Sequence, residues 1–181
     1  RVWWLFRLMG KMDVAVLDGG MPKWRAEGRE TSDMPPVVRD RHMTTSRQNQ
    51  LVRDVTQVAR AAKLGDHVII DARAPARFRG DAPEPRPGLR AGHIPGARNV
   101  FFRDLLNDDG TLKVADDIRG AFTAAGVDLT QPVITSCGSG VTASVLDLAL
   151  ERIGHRNHAV YDGSWSEWGM YPDLPIATGD A

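Results

Sequence analysis

One stretch of the sequence has the residue types and spacing for covalent chemistry: Cys137-Gly138-Ser139-Gly140-Val141-Thr142. It follows a β-branched run at residues 132–136 and precedes an apolar run with helical period. A cysteine between strand and helix sits where free backbone N–H groups and the positive end of the helix dipole favour an anion. Glycines at 138 and 140 let the backbone curl so that successive N–H groups converge. That setting favours a thiolate or a persulfide at Cys137, and Ser139 and Thr142 add hydroxyl donors. An inert cysteine packed at a strand end is the plain alternative. The glycine-rich turn between strand and helix weighs against it.

Two rival cysteine chemistries meet obstacles. A phosphatase loop also places its cysteine here, but it needs an arginine six residues on to clamp the phosphate. That position is Ala143. A Cys–His hydrolase needs a partnered histidine. His93, His155 and His158 are available, and nothing in the sequence brings one to Cys137.

The elements that must hold this loop follow from periodicity. Apolar residues at 51, 52, 55, 58, 59 and 62 predict an amphipathic helix over 51–64, stopped by Gly65. Residues 67–71 and 132–136 read as buried strands, 97–100 as a short strand and 158–161 as the last strand. Helices are predicted over 111–125 and 141–153, each stopped by a glycine, and 80–92 is loop. Short buried strands alternating with helices give an α/β domain, with a mainly parallel sheet flanked by helices on both faces. In such sheets ligands bind at the carboxyl ends of strands, so the residues after Asp71 and Ser136 are the first candidates.

Composition excludes some partners. Lys plus Arg and Asp plus Glu number 23 each, a balance unlike the basic stripes that nucleic acid and anionic membranes select. The densest basic cluster is local, at residues 73–90. No apolar run approaches the ~18 residues of a membrane span, and no secretory signal pattern is present. With one cysteine no intrachain disulfide can form, so a reducing cytoplasm is expected.

The chain also repeats itself. Residues 16–24 (VLDGGMPKW) resemble residues 160–168 (VYDGSWSEW) without a gap, and Gly10 and Ala15 match Gly154 and Ala159 at the same offset. Each copy reads as helix end, glycine stop, short strand, Asp-Gly turn and short helix with a tryptophan. Residues 1–30 are therefore expected to be the closing part of a first domain whose body is absent. Residues 31–47, polar and with a Pro pair, form the linker, and 48–181 the main domain. Trp3, Trp4 and Phe6 need a core to cover them.

Several spaced motifs together resemble one family. The loop C-G-S-G-V-T-A, the run from Asp71 through Arg77-Phe-Arg-Gly and Pro83-Glu-Pro-Arg86 to Gly92-His-Ile-Pro-Gly-Ala, and residues 160–168 look like the tandem-domain rhodanese family, and within it the 3-mercaptopyruvate sulfurtransferases. The resemblance implies a rhodanese-like fold and two half-reactions through a Cys137 persulfide: uptake of sulfur with release of pyruvate, then delivery to a thiol such as reduced thioredoxin, or to cyanide. It implies that Ser139 assists proton transfer, that Arg77 and Arg86 hold the substrate carboxylate and carbonyl, and that Gly138, Gly140, Val141 and Thr142 complete the substrate loop. No metal or cofactor is expected. The family draws an Asp and a His from its first domain, a part not matched here. His93 reads as structural, Asp162 as turn and Trp165 as core, and Arg73, Arg79 and Arg90 as solvated charges. Thiosulfate sulfurtransferases share the fold and usually carry basic residues in the loop. The neutral Gly138 and Ser139 favour the singly charged mercaptopyruvate. A non-catalytic rhodanese-like binding module is the reading from another class, and such modules usually lack the cysteine.

Overall fold

The apolar runs around 68–71, 133–136 and 158–161 form strands, and two short edge pairings, one of them inside the stretch expected to be helical, complete a sheet of five strands. In the computed structural model, which describes residues 1–180, these are β1 (Val52–Arg53), β2 (Val68–Asp71), β3 (Arg98–Asn99), β4 (Val133–Ser136) and β5 (His158–Tyr161). They pair in parallel in the order β1-β5-β4-β2-β3. Parallel neighbours require long crossovers, and the helices supply them.

Alternation along the strands builds two cores. Ile70, Val133 and Val160 face one, with Phe122, Leu146 and Leu150. Ile69, Ile134 and Tyr161 face the other, with Val58, Phe78, Trp165 and Trp168. The first core is covered by α1 (Val2–Leu8), α5 (Ala115–Ala124) and α6 (Ala143–Arg152). The second is covered by α3 (Val55–Leu64), α4 (Pro75–Arg79) and α7 (Ser164–Trp168). A parallel sheet with helices on both faces is the expected fold class. The helix α2 (Gly20–Ala26) buries no residue.

Several boundaries differ from the periodic reading, each for a local reason. The first long helix starts at Val55, because Asp54 accepts from the Gln57 N–H while the Gln57 side chain accepts from the Asp54 N–H. Leu51 closes a 3₁₀ turn and Val52 pairs with Val160 on the sheet edge. The helix expected from 111 starts at Ala115, since Leu112 is bridged to Leu106 and Val114 is extended. The helix expected from 141 starts at Ala143, after Thr142. Within the basic segment α4 was not anticipated; Pro75 opens it and Gly80, in the left-handed region, ends it.

The first copy of the repeat makes its turn and helix but no strand. Residues 14–17 pair with no strand among the described residues, and Val16 and Leu17 are half exposed. Side-chain preference alone does not make a strand; a partner edge does. Trp4 does find its core: it is buried against the first cluster and its Nε1–H donates to the Leu51 carbonyl at 2.9 Å. Trp3 packs against the same cluster, while Phe6 is exposed. Residues 31–47 are extended and exposed, and Ser46 and Gln48 donate to the Met9 and Leu8 carbonyls as the chain returns to α1.

Candidate active site

The sheet order makes a crevice at the ends of β2 and β4, which are adjacent. The chain leaving β2 runs into α4 on the second core, and the chain leaving β4 runs into α6 on the first. Connections that part to opposite faces leave an opening between them. A cavity of about 280 Å³ occupies it, lined by Arg77, Glu84, Pro85, Arg86, Leu89, Cys137, Gly138, Ser139, Val141 and Thr142.

Cys137 is buried at the base of this cavity. Its loop is held from behind by α7. The Cys137 N–H donates to Ser164 Oγ at 3.1 Å, and Ser164 Oγ donates to the Tyr161 carbonyl at 2.8 Å. The Trp165 and Ser166 N–H groups donate to the carbonyls of Cys137 and Gly138, both at 2.9 Å. Ser164 is a fully buried non-glycine residue at φ 52°. A left-handed serine stores of order 1–3 kcal/mol of strain, offset here by the two bonds of its hydroxyl. The Ser139 N–H points at Cys137 Sγ from 3.4 Å, one of the converging donors expected of this loop.

The loop glycines have different roles. Gly140, at φ 75°, turns the chain and backs onto Asp162 and the Arg1 guanidinium; it does not line the cavity. Gly138 has ordinary backbone geometry and instead leaves room for Arg77, whose Nη2 lies 3.0 Å from where a Cβ would stand. Ala143, where a phosphatase would carry its arginine, is buried in the first core.

Arg77 and Arg86 both reach the cavity, from α4 and the loop after it. Arg77 is not free there: its Nη2 and Nε donate to Glu84 at 2.5 and 3.3 Å. Arg73, read from the sequence as a solvated charge, is buried. It donates to both Asp71 oxygens at 2.7–3.1 Å, to Glu84 at 2.8 Å and to the Gly92 carbonyl, and it lies over the Trp165 ring. The clue available in the sequence was its position two residues after a strand-end aspartate. Arg90 is also no free charge: its guanidinium is bound to carbonyls of residues 168–174. Arg79 is exposed beside Asp81. His93 stacks on Phe78, and its Nδ1–H donates to the Phe78 carbonyl at 2.9 Å. Burial holds its imidazole below the ordinary value. His158 pairs with Asp147 at 2.5 Å and does not line the cavity.

A larger concavity, of about 1020 Å³, lies away from the cysteine between α1, residues 12–20 and α6, and holds no nucleophile. Among the described residues no helix is long and apolar enough to cross a membrane.

Comparison with known proteins agrees with this geometry. The model of the rhodanese-like domain matches residues 54–171. The chain is 41% identical to the 3-mercaptopyruvate sulfurtransferase of Escherichia coli K12, over 97% of this chain and 62% of that one. It is 38% identical to a mitochondrial thiosulfate/3-mercaptopyruvate sulfurtransferase of Arabidopsis thaliana, over 97% and 52%. The crystal structure of SseA from Escherichia coli, described as a 3-mercaptopyruvate sulfotransferase with the rhodanese fold, superposes with a TM-score of 0.80 at 38% identity, covering 92% of this chain and 62% of that one. The chain thus spans between half and two thirds of the length of these relatives.

Proposed function

This chain belongs to the rhodanese-like domain family, and from that membership we propose that it is the cysteine-bearing part of a sulfurtransferase that takes sulfur from 3-mercaptopyruvate. One observation carries the reading: a buried cysteine and two arginines from separate segments line a single small cavity. A 2-oxo acid has one carboxylate and an adjacent carbonyl, which planar guanidinium groups bind well.

In the first half-reaction the Cys137 thiolate attacks the donor sulfur. The new S–S bond forms as the C–S bond breaks, and the electron pair passes into the enolate of pyruvate. Arg77 and Arg86 stabilise that charge at the oxygens where it develops. Protonation at carbon, assisted by Ser139, releases pyruvate and leaves the Cys137 persulfide. In the second half-reaction a thiol, such as that of reduced thioredoxin, or cyanide attacks the outer sulfur and restores the cysteine. Gly138, Val141 and Thr142 shape the donor's seat, and Gly140 sets the turn behind it. The chemistry needs a reduced thiol, which supports a reducing compartment, the cytoplasm.

Thiosulfate is the second reading, since a relative named for both donors is similar over 97% of this chain. The neutral Gly138 and Ser139 favour the singly charged donor. The repeat supports a tandem architecture, in which residues 1–30 belong to another unit of the same kind and 31–47 join the two. Gly10 and Gly154 both follow a helix at φ 91° and 82°, and Gly20 and Ser164 both open a helix at φ 58° and 52°.

The test is direct. The complete protein, incubated with 3-mercaptopyruvate, gains one sulfur on the Cys137 peptide by mass spectrometry and releases pyruvate. Absence of both refutes the assignment, and a parallel run with thiosulfate ranks the donors.

A further inference from the structure

Three charged side chains line the Cys137 cavity: Arg77, Arg86 and Glu84. Two guanidinium groups suit an anionic substrate. A carboxylate there repels what the arginines attract, so its presence needs a reason.

Glu84 is almost wholly enclosed, its side chain 2% exposed. Oε1 accepts from Arg73 Nη1 at 2.8 Å and from Arg77 Nε at 3.3 Å, and Oε2 accepts from Arg77 Nη2 at 2.5 Å. Arg73 already has a buried counter-ion in Asp71, which it grips with three nitrogen–oxygen contacts. The charge of Glu84 therefore falls to Arg77, and the three side chains together carry one net positive charge before the Cys137 thiolate is counted. Beside so enclosed a carboxylate that balance matters, because screening there is weaker than in bulk water and a doubly charged ligand feels any change in potential twice as strongly as a singly charged one.

We propose that Glu84 is a specificity-determining residue: by holding the Arg77 guanidinium and offsetting its charge, it tunes the cavity to a singly charged sulfur donor and against a doubly charged one such as thiosulfate. The inference rests on the sulfurtransferase reading above.

The test compares kcat/KM for thiosulfate and for 3-mercaptopyruvate in the complete protein, with cyanide as acceptor. Glu84→Gln keeps the shape and one acceptor oxygen and removes the charge. The thiosulfate to 3-mercaptopyruvate ratio then rises about tenfold. Glu84→Asp keeps the charge and leaves the ratio near its starting value, even where both activities fall. Arg77→Gln, which leaves Glu84 without its cavity counter-charge, lowers the ratio and serves as the test if Glu84→Gln does not fold. A purely structural role predicts parallel losses with both donors, so an unchanged ratio in Glu84→Gln, or in Arg77→Gln, overturns the proposal. A wild-type protein that turns over neither donor overturns the sulfurtransferase reading, and this inference with it.

Discussion

Residues 16–24 and 160–168 share one sequence pattern, and the molecule uses the two copies differently. In the second copy Val160 and Tyr161 lie in an inner strand, the turn leads into α7, and α7 grips the cysteine loop through three hydrogen bonds. In the first copy Val16 and Leu17 lie half exposed without a strand partner, and α2 buries nothing. What the copies keep in common is local: a left-handed residue opening the helix, and a tryptophan near its end whose indole N–H finds a carbonyl. Turn and helix chemistry is written in a few adjacent residues. Strand membership and burial depend on what the rest of the chain places beside them.

Matched substitutions break or sharpen this contrast. The largest difference is expected at the paired tryptophans. Trp168 is fully buried in the second core, and Trp168→Ala should cost about 3–5 kcal/mol in urea unfolding. Its counterpart Trp24 is only partly covered, and Trp24→Ala should cost under about 1 kcal/mol. Equal losses would mean that α2 is packed as firmly as α7.

The next difference is at the left-handed pair. Ser164→Ala leaves the buried Cys137 N–H without an acceptor, a loss of about 1–3 kcal/mol. Displacement of the nucleophile should also slow persulfide formation about 10–100-fold, measured by single-turnover pyruvate release. Gly20→Ser incurs only the backbone strain, of order 1 kcal/mol, and leaves sulfur uptake unchanged.

Acid should act on the second core, which supports the second copy and where His93 stacks on Phe78. Burial depresses the His93 imidazole below its ordinary value of 6.5, so the unfolded chain takes up the proton more readily. The stability this group contributes is complete above pH 6.5 and is lost as pH falls from there through the folded value. Thermal melts from pH 8 to 5 should show that decline, and His93→Gln should flatten it. The smallest effect is expected at Asp18, where loss of the exposed bond from the Leu112 N–H in Asp18→Ala should cost no more than about 1 kcal/mol.

The sequence made the three inner strands and the long helices legible, because those strands are short apolar runs and a glycine closes each long helix, whereas β1 and α4 carry no such signal. The last strand was read to the residue, and the cysteine loop was placed correctly between strand and helix. Helix starts were harder. Leu51 and Val52 continue the apolar period into the helix, and only the reciprocal Asp54–Gln57 bonds show that the helix begins later. The site was legible where neighbours in sequence are neighbours in space. Arg73 and Glu84 were not, because α4 and the loop after it separate the two halves of their ion pair and burial follows from that pairing. Ser164 was hidden for the same reason: its hydroxyl serves a residue 27 positions away.

The bolting of the cysteine loop to α7 has a mechanical consequence. With the Cys137 N–H, its carbonyl and the next carbonyl all tied to one helix, the backbone under the nucleophile is a fixed mount. In the proposed sulfur transfer, travel of the sulfur between the two half-reactions is then confined to rotation about side-chain bonds, a short swing inside the cavity. Delivery becomes a question of reach. Under the proposed function, an acceptor small enough to enter, as cyanide is, or one that carries its thiol on a projecting tip, suits this cavity.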